Sequence, residues 1–127
     1  MDMFFADPND PPLPPEEVRL RDLRAEPWTD VRRVKVFLEL TPFQKRPSAE
    51  VILTGPDGEE AARTSILEPM SRKMEFNLHL RPDAPAGEYT LAVTVYYQKL
   101  PNPEQPEAPM PEPLIVDRSQ TTFHISG

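Results

Sequence analysis

The chain has 127 residues, no cysteine and a formal charge of −7. That length suits one domain of the usual ~100–150 residues, and the lack of thiols removes disulfides, redox motifs and Cys-based zinc sites. The acidic balance opposes non-specific binding to nucleic acid or to an anionic membrane, both of which need a basic footprint.

Proline is the compositional outlier, at 18 residues against a usual ~5%. It clusters in two tracts, Pro8 to Pro15 and Pro101 to Pro113, which excludes long helices and punctuates a run of short strands. The opening Met1-Asp2-Met3-Phe4-Phe5 carries an acid where a secretory n-region needs bases. No stretch reaches the ~20 apolar residues of a membrane-spanning helix. The expectation is a cytoplasmic protein that inserts in no membrane.

Residues 1–16 read as a proline-rich extension, in which Asp10-Pro-Pro-Leu-Pro-Pro15 resembles a polyproline-II ligand or a stiff tether. The sandwich domain is expected over 17–127. Val18 and Leu20 share one phase and Leu23 and Ala25 the other, so the first strand carries a bulge or switches sheets near Arg21-Asp22. Val34, Val36, Leu38 and Leu40 then alternate with Arg33, Lys35, Phe37 and Glu39, the period-two signature of a half-buried strand. Ala49, Val51 and Leu53 repeat it, and Gly55-Pro56-Asp57-Gly58 supplies a tight turn. Ala62, Thr64 and Ile66 read as an edge strand.

Met74, Phe76, Leu78 and Leu80 form the next strand, and Tyr89, Leu91, Val93, Val95 and Tyr97 the longest. The last strand, through Thr121, Phe123 and Ile125, is expected to begin near Ser119. Seven short strands with turn signals and no helical spacing predict an all-β antiparallel sandwich. Leu38, Val51, Phe76, Leu91 and Val93 are its predicted core.

Pro85-Ala-Gly-Glu-Tyr-Thr-Leu-Ala-Val-Thr-Val95 resembles the turn and penultimate strand of bacterial immunoglobulin-like and fibronectin-III-like domains. The short first strand, Pro27, the long second strand and the Gly-Pro-Asp-Gly hairpin fit the same layout. The resemblance implies that Tyr89 forms a tyrosine corner, its hydroxyl tied to the turn near Asp83. The chain departs from antibody domains in having no cysteine pair and in placing Trp28 before the second strand. Such domains share a fold without sharing a function.

Sites for chemistry are weakly signalled. His79 and His124 fall on outward positions with no short-spaced ligand pair. Asp57, Glu59 and Glu60 decorate a hairpin turn and lack the fixed offsets of a calcium loop. No serine lies in a nucleophile context, and four glycines make no phosphate loop. The sequence predicts a non-enzymatic module without cofactor or metal. It contacts a protein partner or copies of itself.

The place expected to carry that contact is the proline-rich arm of residues 100–117, a semi-rigid loop before the last strand. Its apolar residues Leu100, Met110, Leu114 and Ile115 have no evident core strand to join, and Phe4 and Phe5 are the other candidate anchors. The arm is acidic, whereas eight of the fourteen bases lie between Arg19 and Arg46. The alternative is a carbohydrate or small-ligand module stacking its ligand on Phe37, Tyr96 and Trp28. Phe37 and Tyr96 share outward parity on their strands, as such a platform requires.

Overall fold

In the computed structural model, the described residues are 10–28, 33–99, 103–104, 107 and 111–126. A one-turn 3-10 helix, Pro15–Glu17, precedes seven strands: β1 Leu20–Pro27, β2 Arg33–Leu40, β3 Ser48–Thr54, β4 Glu60–Ile66, β5 Lys73–His79, β6 Gly87–Tyr97 and β7 Leu114–Ile125. They form two antiparallel sheets, ordered β1-β2-β5 and β4-β3-β6-β7. The antibody constant domain places its fourth strand beside the fifth. Here the fourth pairs with the third, so the immunoglobulin-like order is kept with one strand moved to the other sheet.

The alternation read in the sequence sets the packing. Val34, Val36, Leu38 and Leu40 of β2 and Leu53, Leu91, Val93 and Val95 of the facing sheet are buried in one continuous core. Each such aliphatic contributes about 1.5–3 kcal/mol by leaving water. Of the predicted core, Leu38, Val51, Leu91 and Val93 are buried, while Phe76 is only half-buried against it. The reason is position: β5 is the edge of its sheet and has a neighbour on one side only.

The expected bulge in the first strand is present, the β1–β2 register slipping between Leu20 and Asp22. The predicted edge strand is β4. In the β3–β4 hairpin the Gly58 amide donates to the Gly55 carbonyl at 3.0 Å, with Gly58 at φ +82°. Asp57 accepts the Glu59 amide at 3.0 Å, which is the backbone use of Asp in turns.

The segment preceding β1 is attached to the sandwich from Asp10 onward. Asp10 pairs with Arg21 and lies 3.9 Å from Arg72; the hydrogen bond from Arg21 draws its carboxyl below the ordinary value. Leu13 bridges to Phe43, and Val18 is fully buried. Pro14, at φ −67° and ψ 160°, has polyproline-II geometry.

One expectation is corrected. The last strand begins at Leu114 rather than near Ser119. Leu114 pairs with Tyr97 and Ile115 with Tyr96, with a register shift before Asp117. The end of the supposed arm is therefore part of the sheet. Phe4, Phe5, Leu100 and Met110 lie outside the described residues.

Candidate functional site

Tyr89 shows how the turn before β6 is held. Its ring is buried and stacks on Phe123 at 5.8 Å between centroids. Its hydroxyl donates to the Pro85 carbonyl at 2.6 Å. This is the expected tyrosine corner, its acceptor being the Pro85 carbonyl in the turn near Asp83. A second buried tyrosine, Tyr97, donates its hydroxyl to the Lys45 carbonyl at 2.7 Å. Both are scaffold, and they leave the two outer faces of the sandwich as the surfaces open to a partner.

Register and burial alternation assign every outward residue to one of these faces. On the β1-β2-β5 sheet the rows across the strands run Asp22–Glu39–Lys73, then Arg24–Phe37–Glu75, then Glu26–Lys35–Asn77. Charges fill this face, and they cover its aromatics. The Arg24 guanidinium lies 4.6 Å and the Lys35 ammonium 5.7 Å from the Phe37 ring centroid. Arg33 and Lys35 lie 4.2 Å and 5.4 Å from that of Trp28, whose indole N–H donates to Asn77 at 3.3 Å. Arg33 Nε is shut off from water and has no hydrogen-bond partner among the described residues, as a guanidinium stacked on an indole is placed. Lys35 also pairs with Glu75 and Arg24 with Asp22. A shallow depression of about 280 Å³ opens beside Phe37, between these same charges.

The β4-β3-β6-β7 face is built differently. Its rows read Ser48–Tyr96–Ile115, then Ser65–Glu50–Thr94–Arg118, then Arg63–Ile52–Ala92–Gln120, then Glu60–Thr54–Thr90–Thr122, then Glu88–His124. Between Glu50 of β3 and Glu88 of β6, the inner strands present the uncharged residues Ile52, Thr54, Thr90, Ala92 and Thr94. Glu50, on inner strand β3, accepts hydrogen bonds from Ser65 and Arg63 of β4, which hold its carboxyl below the usual range, Ser65 most of all. Arg118 on β7 is exposed and has no ion pair among the described residues.

Apolar groups mark one end of this face. Ile115 is 42% exposed beside half-buried Tyr96, and Leu67, directly after β4, is 70% exposed. The turn that follows is distinctive. Glu68 adopts φ +46° before Pro69, a conformation that side chains rarely take, and its amide donates to Ser48 Oγ at 3.3 Å.

Of the six residues expected to bind a partner, the structure describes Leu114 and Ile115. It separates them: Leu114 packs against the core, and Ile115 joins the exposed face. Phe37 and Tyr96 lie on different sheets, hence on opposite outer faces. They cannot form the coplanar platform that parity alone allowed. His79 and His124 are separated in the same way. Among the described residues no cluster of three or more His, Asp or Glu side chains is placed to hold a metal ion, and no helix is long and apolar enough to cross a membrane.

No protein-family model matches the chain, and no curated protein matches it. Solved β-glucuronidase structures are similar to it. One from Ruminococcus gnavus in complex with D-glucaro-d-lactam has a TM-score of 0.46 at 16% identity. The Lactobacillus rhamnosus β-glucuronidase gives 0.44 at 16%, and the apo Ruminococcus gnavus enzyme 0.42 at 13%. Each match covers 86% of this chain and 16% of the other, so the chain spans about a sixth of the length of these enzymes. The two-sheet assignment stands on the strand register itself.

Proposed function

We propose that this chain is a non-enzymatic interaction module that binds a protein partner on the outer face of its four-stranded sheet. The observation that supports the reading is the contrast between the two outer faces. In a chain with 28% charged residues, the three-stranded face has charges in every row and cations over both aromatics. The four-stranded face keeps its charges, Glu50, Glu60, Arg63, Glu88 and Arg118, around an uncharged patch of Ile52, Thr54, Thr90, Ala92 and Thr94, with exposed Ile115 and Leu67 at one end. The cores of protein interfaces are depleted of charge in this way. Charge-covered aromatics, by contrast, suit a face kept in water.

The reading is tested by capture from a lysate of the source organism, using the full chain as bait. Thr94→Arg and Ile115→Arg put charges on the proposed face, and Lys35→Glu and Glu75→Lys alter the opposite one. Bound protein should be lost with the first pair and kept with the second. If the first pair captures as the unaltered chain does, the contact lies elsewhere and the reading fails.

A further inference from the structure

We propose that residues 10–13 form a strap that opens and closes as one unit, latched by the pairing of Asp10 with Arg21. The β1 bulge supplies the latch. Leu20 is in register with Leu40 and Asp22 with Glu39, which leaves Arg21 as the extra residue of the strand. A bulge re-aims the side chain it inserts, and Arg21 is aimed at the segment preceding its own strand. Both terminal nitrogens donate to the Asp10 carboxylate, Nη1 to Oδ2 at 2.8 Å and Nη2 to Oδ1. Arg72 stands 3.9 Å from Asp10 Oδ2 and is itself held by Glu39 at 2.9 Å. Its carbonyl accepts the Leu40 amide at 2.8 Å, so the backbone of β2 fixes this second cation. A two-point guanidinium–carboxylate pair inside a small network is the kind of surface ion pair that holds its geometry.

The other end of the strap is anchored differently. Val18 is fully buried, and the Glu17 and Val18 amides donate to the Pro14 and Pro15 carbonyls at 2.9 Å and 3.3 Å. Between the anchors the attachment is slight. Leu13 bridges in parallel to Phe43, its amide donating to the Pro42 carbonyl at 3.1 Å and its carbonyl accepting the Gln44 amide at 2.9 Å. The Pro12 carbonyl accepts Gln44 Nε2 at 3.3 Å. Pro11 and Pro12 have no amide to add. The ion pair at Asp10 therefore tips the balance between closed and open.

The closed strap masks a motif. In Asp10-Pro-Pro-Leu-Pro-Pro15, which resembles a polyproline-II ligand, the carbonyls of Pro12 and Leu13 are already bonded and the Leu13 side chain packs against the core. The tract is thus covered in cis, and the latch governs when it is bare.

Amide hydrogen exchange of the full chain tests the device, because opening frees the Leu13 and Gln44 amides and leaves others bonded. Asp10→Ala should speed exchange at both by about two- to fivefold, the range open to one surface ion-pair site. Arg21→Ala should act in the same direction. The double variant should match Asp10→Ala, since both changes remove one interaction. The Val18 amide and the Thr41 amide, which donates to the Arg19 carbonyl at 2.8 Å, should keep their rates. A second measurement needs no substitution. In about 1 M salt, where the screening length falls to ~3 Å, the unaltered chain should show the same acceleration at Leu13 and Gln44. Asp10→Ala should show little more.

Unchanged exchange at Leu13 and Gln44 in both the variants and high salt overturns the latch and leaves the strap to its backbone bonds. Acceleration that reaches Val18 and Thr41 equally overturns the strap as a separate unit. Effects of Asp10→Ala and Arg21→Ala that simply add show that the two residues act apart, and the proposal fails.

Discussion

The Asp117 carboxylate accepts the Leu20 amide at 2.8 Å, joining residues 97 positions apart in sequence and in different sheets. Each stands next to a register shift, the β1–β2 slip after Leu20 and the β6–β7 slip before Asp117. The two irregularities thus meet at the seam where β1 and β7 approach. An amide beside a bulge needs an acceptor, since an unpaired buried N–H costs as much as a lost hydrogen bond. Asp117 supplies one from across the sandwich. Asp117→Ala should therefore destabilise the fold by about 1–3 kcal/mol, whereas Asp117→Asn, which keeps an acceptor oxygen, should cost clearly less. Urea unfolding of the three proteins measures both.

The tyrosine corner and the core beneath it separate two kinds of contribution. Tyr89→Phe keeps the buried ring against Phe123 and removes the bond to Pro85, so a loss of about 0.5–1.5 kcal/mol is expected. Leu91→Ala, at a fully buried position, should cost about 2–5 kcal/mol. Equal losses for the two would show that the hydroxyl matters as much to this core as packing does.

Two glycines make a paired steric test. Gly58 and Gly87 both have left-handed φ, +82° and +137°, but a Cβ at Gly58 would meet open space. At Gly87 it would come within 2.7 Å of the Pro56 ring. Gly58→Ala should cost about 1 kcal/mol of backbone strain. Gly87→Ala adds a collision and should cost about 2–4 kcal/mol. Thermal melting gives the order directly, and reversed values would place Pro56 away from Gly87.

Tyr97 predicts an alkaline limit. Burial, with the Glu16 charge second, pushes its phenol from 10.0 up to about 12. In the unfolded chain the phenol loses its proton near 10, while the folded state still holds it. The unfolded state then binds fewer protons, so stability is intact below pH ~10 and falls as pH rises towards 12. Phenolate absorbance should show one tyrosine ionising well above the free value. Tyr97→Phe should flatten the alkaline decline of stability, and an unchanged decline would assign it to another group.

How far the sequence speaks depends on whether the signal is local. The alternation of Val34 to Leu40 and of Tyr89 to Tyr97, the Gly-Pro-Asp-Gly hairpin and the bulge at Arg21 all rest on neighbours in the chain, and all are found in the fold. The start of β7 escapes that reading because its register shift breaks parity. Leu114 and Val116 keep one phase and Thr121, Phe123 and Ile125 the other, directly after a proline tract that suggests a loop. Phe76 has the parity of a core residue, and only its place on an edge strand exposes it. The candidate face is the least legible feature. Parity marks Ile52, Ala92, Gln120 and Tyr96 as outward, but it does not say that β4, β3, β6 and β7 lie side by side. Phe37 and Tyr96 have the same parity and end on opposite sides of the molecule for the same reason.

The position of Trp28, the chain's single tryptophan, makes the two outer faces optically separate. Its indole lies under Arg33 and Lys35 on the three-stranded sheet, with the whole thickness of the core between it and the four-stranded face. Its emission comes from a ring already in contact with water, so it is a natural spectator of anything that settles on the far side. A partner that quenches or shifts that emission has touched the charged face, and one that binds without changing it has met the molecule from behind.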